Sequence, residues 1–254
     1  VHAADLLATL FKSTIVLWAL VVLLVATAAG GQNKPRLSGI KGEDDRVLVE
    51  AKDWPWRAIG RVNKESGGFC TGTLVGKRTV LTAAHCLWNQ RTRRWSHPPA
   101  VHFVAGYSRG DYQGHARATG FRIAGQEDGA PPKPPPMPQD WALVSLDRDL
   151  GSELGTVSPA RGADTVEDVV QAGYSRDKAH MLTRHAGCRI LGRAGNGRLW
   201  VHDCDATKGA SGSPLLVERD GTYYLSAIHV GTYRKEPRHF GLAIPINAMS
   251  PFGE

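Results

Sequence analysis

The feature that most constrains the fold of this chain is the repeated interruption of short apolar runs by glycine and proline. The 254 residues include 29 Gly and 15 Pro, a composition that fits many short strands joined by turns better than long helices. Runs such as Thr79–Thr82 and Leu199–His202 have the length and apolar content of single strands. The chain length suits one large all-β domain.

The predicted strands divide into two similar sets. Those of the first half are 58–62, 70–75, 79–82, 101–107, 118–124 and the run after Asp140; those of the second half are 166–174, 187–191, 199–202, 214–217, 223–229 and 242–246. Counted alone, these strands permit either a sandwich or barrels.

One candidate functional motif is the turn Gly209–Pro214, with the sequence Gly-Ala-Ser-Gly-Ser-Pro. Because glycine accepts backbone angles that other residues resist, such a turn can converge its N–H groups on one point and form an oxyanion hole. An isolated Gly-x-Ser-Gly is also typical of a serine-rich surface turn. A catalytic role for Ser211 therefore needs a base and an acid elsewhere in the chain.

Both groups occur upstream, each beside an apolar run. Thr-Ala-Ala-His-Cys at residues 82–86 follows one run, and Asp140 begins another. Serine needs a base to take its proton and an acid to orient that base before it can attack an amide. His85, Asp140 and Ser211 are therefore the candidate catalytic residues. Each of the other nine histidines alone is typical of a surface or structural residue.

In chain order, these motifs resemble the His, Asp and Ser signatures of the trypsin-like (chymotrypsin-fold) serine peptidases. The resemblance extends from about Trp54 to Ile246, and the serine motif is similar to the bacterial branch that contains glutamyl endopeptidase and V8-like enzymes. It implies an all-β fold, with two six-stranded antiparallel β-barrels and the active site between them.

The resemblance also implies a reaction, the hydrolysis of peptide bonds through an acyl-enzyme. His85 would be the base, Asp140 would orient it, and the N–H groups of Gly209 and Ser211 would form the oxyanion hole. An inactive homologue that serves as a binding protein is the alternative from another functional class.

Four residues are candidates for binding the substrate side chain before the scissile bond. Asp205 lies where resemblance to trypsin places a pocket-floor acid that selects Arg or Lys. The stretch around His229 instead resembles the pocket wall of the glutamyl endopeptidases, where a histidine and hydroxyl groups receive a glutamate carboxylate. Thr232 would supply a hydroxyl, and Lys208 at the pocket mouth favours an acidic side chain. We predict cleavage after Glu, extending to Asp, with Arg/Lys specificity as the alternative.

The four cysteines fall into two local pairs, Cys70 with Cys86 and Cys188 with Cys204, each separated by 16 positions. Four cysteines allow three connectivities, and the local spacing favours these two disulfides. Neither pair has the Cys-x-x-Cys spacing that zinc sites usually show. We therefore expect disulfides, with no metal and no cofactor.

The first 53 residues are predicted to precede the catalytic domain. Residues 15–29 form an uncharged apolar run that ends in small residues, which predicts a signal peptide over 1–29 and a secreted or periplasmic protein. A retained anchor is the alternative. Residues 30–53 are polar and predict a flexible leader or propeptide. The peptidase domain is then 54–254, with its barrels divided near 140–165.

The net charge of +7 and the pI near 9.4 raise the question of a nucleic-acid partner. No basic helix, aromatic-interleaved patch or nucleic-acid motif accompanies that charge, so we interpret it as a property of the outer surface. The expected partner is a protein or peptide substrate. We expect a monomer with no stable membrane association once the signal is removed.

Overall fold

The computed structural model describes residues 37–126, 133–160, 168–235 and 238–252. The predicted signal peptide and the start of the predicted leader lie outside these residues, as do residues 129–132 of a proline-rich stretch, 129–138, that precedes Asp140. None of the helices in the described ranges has the length and apolar character needed to cross a bilayer.

The first barrel is a closed antiparallel sheet of six strands in the order β2-β3-β4-β9-β8-β7. Its strands are β2 (Ile59–Lys64), β3 (Phe69–Gly76), β4 (Thr79–Thr82), β7 (Val101–Ala105), β8 (Gly114–Ile123) and β9 (Ala142–Leu146). A short hairpin, β5 (Trp88–Asn89) with β6 (Arg94–Trp95), lies outside the barrel. The single-turn helix α1 (Gly151–Leu154) follows β9.

The second barrel is also antiparallel, in the order β11-β10-β13-β14-β15-β12, and the pairing of β11 with β12 closes it. Its strands are β10 (Asp168–Gly173), β11 (Leu182–Ala194), β12 (Leu199–His202), β13 (Pro214–Arg219), β14 (Thr222–Lys235) and β15 (Arg238–Pro245). The prediction of an all-β fold with two six-stranded barrels is therefore confirmed.

The barrel interiors are filled by the side chains that alternate inward along each strand. In the first barrel Phe103 is 1 % exposed, and burial of such a ring contributes about 2 kcal/mol. Its ring occupies the place where a Cβ on Gly60 would lie, at 2.6 Å. A glycine on the neighbouring strand is therefore required for this ring to pack.

Residues 37–53 differ from the predicted flexible leader. A seventh strand, β1 (Val47–Val49), pairs with the outer edge of β11, and Ile40, Arg46 and Ala51 are buried. The segment lacks an apolar period because backbone pairing and a few isolated side chains hold it in place. Ordered structure in the described chain therefore begins well before Trp54.

Both predicted disulfides are present. Cys70–Cys86 links β3 to the turn that follows β4, and Cys188–Cys204 links β11 to the residues that follow β12. Each bridge therefore fastens a loop at one end of a barrel to a strand of the same barrel.

Candidate active site

His85 lies in the single 3-10 turn Ala84–Leu87, which directly follows β4. Cys86 in the same turn is bonded to Cys70 on β3, so the turn cannot swing away from the barrel. Asp140 immediately precedes Trp141 and β9, the strand that pairs with β4. The sheet thus brings the histidine and the aspartate together at one end of two adjacent strands.

The contacts between these two residues fix the state of the imidazole. Asp140, which is 7 % exposed, accepts a 2.8 Å hydrogen bond from the backbone N–H of His85, and its second oxygen lies 2.6 Å from His85 Nδ1. Because the carboxylate can only accept, Nδ1 carries the proton. Nε2 of His85 is then left with a lone pair that can accept a proton.

Ser211 lies in the turn between β12 and β13, against the first barrel. Its carbonyl oxygen accepts a 2.9 Å hydrogen bond from the backbone N–H of Thr71. The sulfur of Cys86 lies 3.8 Å from His85 Nε2 and 3.9 Å from the Ser211 carbonyl oxygen, so both candidate residues flank one atom. Within the described ranges no hydrogen bond joins Ser211 Oγ to His85 Nε2, a contact that in free enzymes often tightens only when substrate binds.

Two backbone N–H groups of this turn are oriented by the carbonyl groups that share their peptide planes. The carbonyl before Gly209 accepts a 2.7 Å hydrogen bond from Arg176 N–H, and the carbonyl before Ser211 accepts one of 2.9 Å from Ser213 N–H. In a trans peptide the N–H points opposite to the C=O. The N–H groups of Gly209 and Ser211 are thus held in fixed directions, and neither has a protein acceptor among the described residues.

Glycine is required at position 209. Its φ of +102° is unfavourable for other residues, and a Cβ would lie 2.7 Å from the Phe69 ring and 3.0 Å from the Tyr174 carbonyl oxygen. The backbone of the turn therefore packs directly against the Phe69 ring of the first barrel and the Tyr174 carbonyl of the second.

His229 is a predicted pocket residue whose backbone is hydrogen-bonded to this turn. It is 3 % exposed and lies on β14, where its carbonyl accepts from Gly212 N–H at 2.7 Å and its N–H donates to the Ser213 carbonyl at 2.8 Å. Lys208 and Thr232 are both exposed. The structure thus places His229 in direct contact with the candidate nucleophile turn and leaves these other two side chains at the surface.

A second buried histidine, His202, was missed by the sequence analysis. Its Nε2 lies 3.0 Å from Nδ1 of His229, and its own Nδ1 accepts a 3.2 Å hydrogen bond from Cys204 N–H. Burial lowers the pKa of His229 to about 3, aided by the charges of Lys41 and His85. Burial likewise holds the pKa of His202 well below its usual value. Both rings are therefore neutral.

Asp205, the candidate acid of the pocket floor, lies against the segment that precedes β1. Its side chain is 1 % exposed, and its two oxygens accept hydrogen bonds from the backbone N–H groups of Lys41 (2.7 Å) and Asp45 (3.1 Å). The ammonium group of Lys41 donates to the carbonyl oxygens of Gly39 and Cys204. The segment that precedes β1 thus supplies the N–H partners that this buried carboxylate needs.

The sequence profile of the trypsin family matches residues 47–252. The chain belongs to the trypsin family. A glutamyl endopeptidase from Bacillus licheniformis is 25 % identical over 186 residues, which are 71 % of this chain and 55 % of that protein. The match therefore spans only about half the length of this curated relative.

Solved structures of proteases share the fold. A Glu endopeptidase in complex with MPD aligns with a TM-score of 0.67 at 22 % identity, covering 81 % of this chain and 94 % of the other. The protease Anisep from Arthrobacter nicotinovorans aligns with a TM-score of 0.62 at 19 % identity, covering 79 % and 93 %. These similarities agree with the two barrels described above.

Two groups of potential metal ligands occur in the described part of this trypsin-family chain. One consists of Cys70, Cys86 and His85, but its sulfurs are joined in a disulfide. The other consists of Asp45, His185 and Asp205, and the Asp205 oxygens already accept two N–H groups. The disulfide leaves the first group without free thiolates to bind an ion.

Proposed function

We propose that this trypsin-family protein is a serine endopeptidase in which Ser211 attacks the peptide carbonyl. His85 Nε2 takes the serine proton and returns it to the leaving amine, while Asp140 holds the imidazole and stabilises its charged form. The N–H groups of Gly209 and Ser211 bind the oxyanion. The observation that carries the proposal is the His85 ring, whose Nδ1 is held by Asp140 and whose Nε2 lies near the same Cys86 sulfur as the Ser211 carbonyl oxygen.

Labelling with a fluorophosphonate probe tests this assignment. We expect wild type to label on Ser211 and to hydrolyse peptides, and Ser211→Ala to lose labelling and to lose about 10⁶-fold in kcat. Ser226→Ala is the matched control, because Ser226 is a buried serine that donates only to a backbone carbonyl. Folded wild-type protein that neither labels nor hydrolyses would instead support the binding-protein alternative.

We further propose that the enzyme cleaves after acidic residues, because the buried histidines form a chain of fixed tautomers. Cys204 N–H donates to His202 Nδ1, so the proton of that neutral ring is on Nε2 and is donated to His229 Nδ1. The proton of His229 must then be on its Nε2, for which the described residues offer no partner. A side chain with a fixed N–H donor suits a carboxylate and not an ammonium or guanidinium group.

The engagement of Asp205 supports the same preference. A trypsin-like pocket selects Arg and Lys with a free acid at its floor, whereas both oxygens of this carboxylate accept hydrogen bonds from residues 41 and 45. The Lys41 cation lies beside it. A basic substrate side chain would therefore meet a buried carboxylate that already accepts two N–H groups and has a cation beside it.

Peptides that differ only in the residue before the scissile bond test this preference. We expect kcat/KM for Glu to exceed that for Gln by about 10- to 100-fold, as a charged hydrogen-bond acceptor is lost, and His229→Ala to abolish the difference. Asp205→Asn serves as the comparison and should leave the preference intact. A preference for Arg or Lys that disappears in Asp205→Asn would refute the proposal.

Export is also a proposal, supported by the pairing of all four cysteines, which is typical of oxidising compartments. Deletion of residues 1–29 should retain the protein inside the expressing cell, as immunoblotting of the medium would reveal. Equal release of the deleted and intact chains would contradict it.

A further inference from the structure

Thr71 of β3 connects the first barrel to both sides of the candidate nucleophile turn. It is 0 % exposed, and its hydroxyl donates to the Gly209 carbonyl at 3.1 Å while accepting from Tyr174 N–H at 2.9 Å. A longer contact of 3.5 Å to the Tyr174 carbonyl competes poorly for its one proton. Its backbone N–H binds the carbonyl of Ser211 at 2.9 Å.

These contacts act on the peptide between the two free N–H groups. The Gly209–Ala210 peptide is held at its carbonyl by the Thr71 hydroxyl and at its N–H by the Thr207 carbonyl, 3.1 Å away. Gly209 has few steric limits of its own, because it lacks a Cβ. The hydroxyl therefore supplies a restraint that the glycine backbone cannot supply.

The same hydroxyl also acts on the direction of the Gly209 N–H. The peptide before Gly209 is oriented by the N–H of Arg176. Arg176 lies two residues after Tyr174, and the N–H of Tyr174 donates to the Thr71 hydroxyl. The Thr71 hydroxyl thus binds both Tyr174, at the end of β10, and the carbonyl of Gly209. It thereby links the segment that orients the Lys208–Gly209 peptide to Gly209 itself. The Ser211 side of the turn depends instead on the Thr71 backbone, which any substitution keeps.

Close packing leaves room for this arrangement only because glycines surround Thr71. A Cβ on Gly173 would lie 3.2 Å from the Thr71 hydroxyl oxygen, and one on Gly212 would lie 2.2 Å from the Thr71 carbonyl oxygen. The Thr82 hydroxyl also donates to that carbonyl at 2.7 Å. Thr71 is therefore itself held in place by several contacts, so that its hydroxyl can restrain the turn.

We propose that the Thr71 hydroxyl is a positioning group for the oxyanion hole, acting on the Gly209 N–H and not on substrate binding. The proposal rests on the function proposed above and adds a residue of the first barrel to an oxyanion hole formed by the second. Because the oxyanion exists only after attack, a misdirected N–H lowers kcat and leaves KM nearly unchanged.

The test compares Thr71→Val, Thr71→Ser and Thr73→Val. Valine keeps the shape and the backbone N–H but removes the hydroxyl, and serine restores it. Thr73 is an ideal control, because it is equally buried on the same strand and its hydroxyl has no partner among the described residues. Steady-state rates would be normalised to active sites counted with a fluorophosphonate.

We expect Thr71→Val to lose about 10- to 100-fold in kcat per active site, with KM close to wild type. Its affinity for a peptide aldehyde, whose adduct places an oxygen in the oxyanion hole, should fall by a similar factor, while its affinity for the matching product acid should not. Thr71→Ser should recover most of both losses, and Thr73→Val should resemble wild type.

Three other outcomes would overturn the proposal, and they are distinguishable. Thr71→Val with wild-type kcat per active site shows that the hydroxyl has no such role, even if its melting temperature falls. Equal losses in Thr71→Val and Thr73→Val indicate general damage to the strand. A wild-type protein that hydrolyses no peptide refutes the proposed function as well as the role of Thr71. The first two outcomes refute only the role of Thr71 and leave the proposed function intact.

Discussion

At the scale of single residues, the buried pair His202 and His229 makes the stability of the protein depend on pH. Burial lowers both pKa values in the folded state, whereas an unfolded histidine titrates near 6.5. As pH falls below about 6.5, these histidines become protonated in the unfolded chain but stay neutral in the folded chain. The free energy of unfolding therefore decreases with falling pH until the pH reaches the folded-state pKa. Well above pH 6.5 the two histidines are neutral in both states and do not change the free energy of unfolding with pH.

We therefore expect His202→Gln to make stability less sensitive to acid. Removing one such histidine should flatten the pH dependence of unfolding free energy between pH 6 and 4 by about 1 kcal/mol per pH unit. Urea unfolding at several pH values measures the slope. His97→Gln, which alters an exposed histidine, should retain the wild-type slope; equal slopes in all three proteins would show that the buried pair is protonated in the fold.

At the scale of elements, the segment before β1 is held by one nearly buried cation. The Arg46 side chain is 2 % exposed and pairs with Asp44 at 2.7 Å and with Asp177 at 2.6 Å. Asp177 also accepts a hydrogen bond from Thr207, at the start of the candidate nucleophile turn. This segment therefore contributes to the surroundings of the candidate active site as well as to the sheet.

Arg46→Met should destabilise the fold by about 3 kcal/mol, because it leaves two carboxylates without their shared partner in a mostly buried site. Arg109→Met is the matched control, since Arg109 forms a surface ion pair with Glu50 whose members are 63 % and 51 % exposed, worth about 0–1 kcal/mol. Denaturant midpoints compare the two variants. A smaller loss for Arg46→Met than for Arg109→Met would contradict this account.

Strands that have their own apolar pattern, such as β4 and β12, could be predicted from the sequence, whereas β1 could not. The difference is physical, because β1 is defined by backbone pairing with β11 and by anchors such as Arg46, whose partner Asp177 is 131 residues away. Local motifs identified the candidate triad residues. Thr71 and His202 had no local signature, since their roles arise only where distant elements meet.

At the scale of the whole molecule, the two disulfides close segments of equal length in different barrels. Each bridges a separation of 16 residues, so the loop-entropy model assigns about 3 kcal/mol to each. Only Cys70–Cys86 belongs to the turn that carries His85. The two bridges should therefore be similar in stability and different in their effect on catalysis.

We expect the double variants Cys70→Ala/Cys86→Ala and Cys188→Ala/Cys204→Ala to lose comparable unfolding free energy, about 3 kcal/mol each. Below their unfolding transitions, only the first should show reduced kcat per titrated active site. Chemical denaturation and active-site-normalised rates separate the two effects. Similar losses of kcat in both variants would argue that the turn around His85 needs no local fastening.

The contacts of the segment before β1 also have a consequence for biosynthesis. Lys41 and Asp45 meet Asp205 across 164 and 160 positions of sequence, so some of the first-made residues of the described domain bind some of its last-made ones. Contacts of such long range form late, since their loops close slowly. A nascent chain that ends before Asp205 leaves these donors unpaired, and the nucleophile turn, which follows Asp205, has not yet been made. The order of synthesis thus delays the assembly of the candidate active site until nearly the whole domain has emerged.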